Sequence, residues 1–173
     1  MNRLAVFLLL MISVQVNAQT YIGQSGKIVF FSETPVEDIS AVNTKVSAVF
    51  DASTNDLVFQ LNITDFKFPI ALMQEHFNEN YLESDLYPRS TFSGKVIESK
   101  NGTATVQGDL TIHGKTNKIK VNGSMIRNKK SIIISAVFSL MLEDYNIRIP
   151  KIVMYKIAEE IDIKVNIKLE NIK

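Results

Sequence analysis

The run from Ile161 to Leu169 alternates without a break. Ile161, Ile163, Val165, Ile167 and Leu169 share one face, and Asp162, Lys164, Asn166 and Lys168 share the other. A period of two with one dry and one wet face is the signature of a half-buried antiparallel strand. The same rhythm recurs along the chain. Leu57, Phe59, Leu61 and Ile63 oppose Val58, Gln60, Asn62 and Thr64, while Val106, Gly108, Leu110 and Ile112 oppose Thr105, Gln107, Asp109 and Thr111. Ile119, Val121 and Met125 oppose Lys118, Lys120, Asn122 and Ser124. Turn-forming residues separate these runs, notably Ser53-Thr54-Asn55-Asp56, Asn128-Lys129-Lys130 and Asn101-Gly102, the last a strong two-residue hairpin signal.

The pattern predicts about eight strands, near 27–32, 44–50, 56–64, 89–98, 103–112, 118–126, 131–142 and 161–169. A sheet of that size with one dry face must close on itself or pair with a second sheet. An eight-stranded barrel is just wide enough to hold a small ligand, and a two-sheet sandwich would show the same alternation. Two segments depart from the rhythm. "PIALMQEHFNENYLE" (69–83) carries Leu72, Met73, Phe77, Tyr81 and Leu82 at roughly helical spacing, and "PKIVMYKIA" (150–158) reads as a second short helix. Each opens on a proline, which is favourable in a first helical turn. The class expected is therefore all-β with short helices, in one domain spanning 19–173.

Residues 1–18 read as a secretory signal peptide. Arg3 precedes an apolar run from Leu4 to Val14, too short to span a bilayer, and Val16 and Ala18 place small residues before a cleavage after Ala18. The mature chain would start at Gln19 in a bacterial periplasmic or secreted space. It retains most of the 173 residues, enough for a core without staples. The absence of cysteine removes disulfides, a thiol nucleophile, thiolate metal ligands and a lipidated cysteine. Nineteen basic against 18 acidic residues, scattered along the chain, give no electrostatic case for nucleic acid.

The residues that could carry chemistry are few. "QGDLTIHGKTNKI" (107–119) contains Gly-Lys-Thr, but five residues separate Gly108 from Gly114 and strands flank both sides, so it is no phosphate loop. No Gly-x-Ser-x-Gly elbow occurs. The histidines are His76 and His113, and a metal or acid–base site would have to combine them with Glu79. The alternative is that each imidazole is a satisfied polar group, His113 at a strand end bracing a hairpin or facing a lumen mouth. Glu143 and Asp144, adjacent in sequence, point apart on a strand. What remains is apolar surface. Phe59, Leu61, Ile63, Phe92 and Phe138 on the dry faces, with Met73, Phe77 and Tyr81 from the helical segment, are candidates to line a ligand pocket, with His76 and His113 at its polar ends.

"MQEHFNENYLESDLYPRSTF" (73–92), "VQGDLTIHGKTNKIKV" (106–121) and "FSLMLEDYNIRIP" (138–150) together resemble the YceI-like family. The resemblance covers essentially the whole mature chain. It implies an exported bacterial protein with a lipocalin-like eight-stranded antiparallel barrel that binds long isoprenoid chains or related amphiphilic lipids. Many members carry Arg-x-Asp-Phe-Gly-Ile where this chain has Leu142-Glu143-Asp144-Tyr145-Asn146-Ile147, and Val where it has Lys115. Residues and resemblance together imply a non-enzymatic, cofactor-free lipid-binding barrel that sequesters or carries an elongated apolar ligand. Transient membrane contact and a homodimer are open options. Its rivals are an enzyme or metal protein built on His76, Glu79 and His113, and a structural or stress-related envelope protein with a filled core.

Overall fold

A computed structural model describes residues 19–33, 38–149 and 158–172. Eight antiparallel strands follow one another around a single closed barrel, which decides between barrel and sandwich. They are β1 (Thr20–Ser32), β2 (Ile39–Asp51), β3 (Asp56–Asn62), β4 (Arg89–Lys100), β5 (Thr103–Ile112), β6 (Lys115–Arg127), β7 (Ser131–Met141) and β8 (Glu160–Asn171). One short helix, α1 (Ala71–His76), continues into a π-helical turn over Phe77–Tyr81, within the segment expected to be helical. The signal segment 1–18 and residues 150–157 of the expected second helix lie outside the described residues.

β1 and β2 are longer than their alternation suggests. Register shifts interrupt β1 on both sides of Gly26, so its inward and outward residues change phase. β3 ends earlier than expected, and Ile63 falls in a 3-10 turn over Ile63–Asp65, although its side chain stays buried. Asn101-Gly102 forms the predicted hairpin, with φ of 52° and 81°, both in the left-handed region a type I′ turn requires.

The dry faces do not make one uniform core. In the half of the barrel near the 51–56, 100–103 and 127–131 turns, Phe50, Leu57, Met125, Ile132, Ile167 and Leu169 pack into a solid floor. The other half has a looser apolar lining that includes Leu61, Leu110, Leu140, Ile161, Ile163 and Val165. β8 runs through both, its Ile167 and Leu169 in the floor and its Ile161, Ile163 and Val165 above it.

The looser half is also where the strands separate. β2 pairs with β3 only from Ser47 to Asp51, leaving Ile39 to Val46 paired with β1 alone. The chain after β3 fills that gap. Val42 and Lys67 exchange two backbone hydrogen bonds, Val42 N–H donating at 3.1 Å and Lys67 N–H at 2.9 Å. A polar clamp spans the same seam. The fully buried Asn43 donates from Nδ2 to the Asn62 carbonyl at 3.0 Å and accepts from the Lys45 N–H at 2.9 Å. Asp65 accepts from Lys45 Nζ at 2.9 Å and from Asn62 Nδ2 at 3.0 Å. A second separation lies between β6 and β7, which pair only from Gly123 to Arg127. There a 3-10 turn over Leu142–Tyr145 follows β7, and Asn117 Nδ2 donates to the Asp144 carbonyl at 2.6 Å.

The hydrogen bonds from Lys45 and Asn62 hold the Asp65 carboxyl below its ordinary pKa. A carboxylate whose folded pKa is depressed stabilises the fold above its unfolded pKa and loses that contribution as pH falls through the folded value. Asp65→Asn should therefore lower the melting temperature at neutral pH, and the difference from wild type should shrink as the pH drops below about 4. Thermal denaturation of both proteins across that range checks it, and a pH-independent difference would contradict it.

Candidate functional site

The upper half of the barrel encloses a cavity of about 470 Å³. Phe59, Leu61, Ile63, Met73, His76, Phe77, Tyr81, Phe92 and Phe138 all lie on its wall. The sequence candidates therefore converge on one space, with the exception of His113. Wall residues outside that set include Ile28, Phe30, Leu110, Leu140 and Ile163. Alternation had already placed Leu110 and Ile163 on dry faces. What it could not supply was the height at which the solid floor stops.

Local structure sets each part of the wall. Gly94 and Gly108 face each other across β4 and β5, and a Cβ on Gly94 would come 2.7 Å from both Gly108 Cα and the Phe92 ring. With no side chains between them, the Phe92 ring lies over this glycine pair. Its other neighbour is Phe59, directly opposite in register, at a centroid distance of 6.5 Å. Phe77 is the anchor of the segment between β3 and β4. Its ring lies 4.9 Å from Phe68, 5.5 Å from Phe66 and 5.9 Å from Phe30, separations at which aromatic pairs attract beyond simple burial. Beside this cluster, Ile70 and Leu72 border the cavity while remaining 43% and 57% exposed, and His76 borders it while exposed. They mark the mouth.

The wall's polar side chains are Gln60, His76, Tyr81, Ser90, Thr91 and Tyr145; among the described residues it carries no Asp, Glu, Lys or Arg. Ser90 Oγ is engaged, donating to the Thr111 carbonyl at 2.9 Å. Burial raises the pKa of the Tyr81 phenol. Burial, and then the Asp144 carboxylate, raise that of Tyr145, against the opposing effect of the Asn117 amide. The Tyr145 hydroxyl is buried and makes no hydrogen bond of good geometry.

His113 is the departure from the expected ligand set, because it does not line the cavity. It forms the β5–β6 turn with Gly114, at φ of 50° and 70°. Its Nδ1 meets the Tyr145 carbonyl at 3.2 Å and its Nε2 pairs with Glu83 at 2.7 Å. The Tyr87 ring sits 4.6 Å from the imidazole and occupies the space a Cβ on Gly114 would need. The imidazole thus ties the hairpin to the chain before β4 and to the turn after β7. The described residues contain no group of three or more His, Cys, Asp or Glu that could hold a metal ion, so His76, Glu79 and His113 are not brought together as one.

A closed eight-stranded antiparallel barrel with an apolar cavity under a short helical segment defines the lipocalin-like class of fold. Within that class the chain belongs to the family of the YceI-like domain, whose model matches residues 12–169. Solved structures share the architecture. A polyisoprenoid binding domain from Saccharophagus degradans, implicated in plant cell wall breakdown, superposes with a TM-score of 0.77 over 90% of this chain and 99% of its own, at 10% identity. BcnA of Burkholderia cenocepacia gives 0.73 over 83% and 95%, at 17% identity. A YCEI protein of Campylobacter jejuni gives 0.67 over 82% and 89%, at 18% identity. At such identities the likeness is one of fold. No curated protein sequence matches the chain at a significant level.

A solid floor beneath a hollow has a mechanical consequence. Ile167→Ala opens a new void in close-packed surroundings and should cost about 2–5 kcal/mol. Phe138→Ala only enlarges a void already present, so it should cost less although it removes a larger side chain. Urea unfolding of both variants measures the difference, and an equal or larger loss at Phe138 would contradict the hollow.

Proposed function

We propose that the protein binds an elongated apolar chain, of the polyisoprenoid or related amphiphilic lipid class, inside the upper half of the barrel and carries or sequesters it. The observation that carries this reading is the apolar wall, free of Asp, Glu, Lys and Arg among the described residues, around a cavity of about 470 Å³ whose mouth is bordered by exposed Ile70 and Leu72. Membership of the YceI-like family and a fold shared with a polyisoprenoid binding domain support the same class of ligand.

The energetics are adequate. Burying about fifteen methylene groups gains roughly 12 kcal/mol at about 0.8 kcal/mol each. Subtracting an association cost of about 4 kcal/mol, at the low end of such estimates, leaves about 8 kcal/mol, equivalent to roughly micromolar affinity. Binding of this kind needs no reacting group. It needs a dry wall and an opening through which the chain can pass. Export after cleavage behind Ala18 belongs to the same proposal, because a lipid carrier in an aqueous envelope space has water to cross between membranes.

Protein purified from the periplasmic fraction of a bacterial host should begin at Gln19 by intact mass. Its organic extract should contain a long-chain apolar lipid by mass spectrometry. Phe59→Ala should weaken rebinding of that lipid about tenfold, the equivalent of about 1.4 kcal/mol of lost burial. Recovery of no lipid, together with no binding of isoprenoid chains by the delipidated protein, would overturn the proposal.

A further inference from the structure

The boundary between hollow and floor narrows the ligand further, resting on the binding role just proposed. Leu57, Val106 and Ile134 belong to both. They lie on the cavity wall, and they also pack in or against the floor. They form the layer at which the hollow stops.

Each member of this layer is backed from below. Leu57 stands opposite Phe50 in the β2–β3 register, and Val106 stands opposite Val96 across β4 and β5. Ile134 lies between Met125 on β6 and Ile167 on β8. Phe50, Val96, Met125 and Ile167 are all buried in the floor and none of them borders the cavity. A chain end pushed past Leu57 would have to displace close-packed side chains, and forcing extra methylenes into a filled core is destabilising.

The room above the layer is the cavity of about 470 Å³. If a methylene is taken as about the size of a water molecule in the liquid, about 30 Å³, that room holds about sixteen carbons, whatever path the chain follows. Further carbons stay outside the mouth, where each forfeits its burial. We infer that Leu57, Val106 and Ile134 are a stop that sets chain-length specificity. The stop limits the buried chain to about sixteen carbons, roughly three five-carbon isoprene units, and makes the site favour chains up to that length over longer ones.

Transfer from a bilayer tests this, because a bilayer rewards each methylene about as much as the cavity does. Delipidated protein would be equilibrated with phosphatidylcholine vesicles holding equal small amounts of straight-chain 1-alkanols from dodecanol to tetracosanol, and the bound alkanols read by mass spectrometry. Bound amounts, relative to the vesicles, should stay level up to about sixteen carbons and then fall by up to about fourfold with each further carbon. Leu57→Ala removes three side-chain carbons from the stop and should move the fall outward by about three carbons. Leu57→Val is the gentler variant and should move it by about one. Ile167→Val, in the floor but off the wall, should leave it in place. Level binding out to tetracosanol would overturn the stop while leaving the binding role intact. So would a fall at the same length in wild type and Leu57→Val, or an equal shift from Ile167→Val. Recovery of no alkanol of any length would overturn both.

Discussion

β2 and β3 share five backbone pairs, and so do β6 and β7, whereas β5 and β6 share ten. Both short seams separate toward the same end of the barrel, and the interior depends on that. Where both of these seams stay paired, the enclosed space is about the size that side chains fill, and Phe50, Leu57, Ile132 and Leu169 fill it. Where two seams part, the circumference grows faster than the side chains can follow, and a cavity is left. The hollow is thus a consequence of pairing geometry, since Ile, Leu, Val and Phe line both halves.

Parting two strands leaves backbone groups that need partners. The chain deals with both seams by turning sharply after the second strand of each pair. After β3, the Ile63–Asp65 turn leads to the Val42–Lys67 bridge, and Asn43, Asn62, Lys45 and Asp65 tie the gap from its polar side. After β7, the Leu142–Tyr145 turn meets Asn117 across the gap. His113 links the two regions, contacting Glu83 from one insertion and Tyr145 from the other. The polar residues at this end therefore hold the opening in shape from outside, while the apolar ones form its interior.

Much of this was legible in the sequence, and the limits have physical causes. Strand existence and facing were readable because period-2 alternation reports which side is dry, and the run from Ile161 to Leu169 reports it without interruption. Antiparallel order and the Asn101-Gly102 hairpin followed from short turns. The barrel itself was readable only as one of two closures. The extent of β1 was obscured because the register shifts around Gly26 change the phase of alternation. The candidate wall residues were found by facing, yet facing is blind to height: Val165 and Ile167 look identical in sequence, and one borders the cavity while the other lies in the floor. For His113 facing left two options open, the lumen mouth or a brace on the hairpin, and the structure shows the brace. A histidine before glycine at a strand end can turn inward or brace the turn. The partners that decide it, Glu83 and Tyr145, are 30 and 32 residues away in the chain.

A barrel with one hollow half and one solid half should take up an apolar chain in the hollow half alone. Methyl-labelled NMR reads both halves in one titration with such a chain. On binding, the methyls of Leu61, Leu110, Leu140, Ile161 and Ile163 should shift, while those of Ile132, Ile167 and Leu169 should change little. Shifts concentrated in the floor methyls, or on outward-facing residues such as Ile97 and Val137, would contradict it.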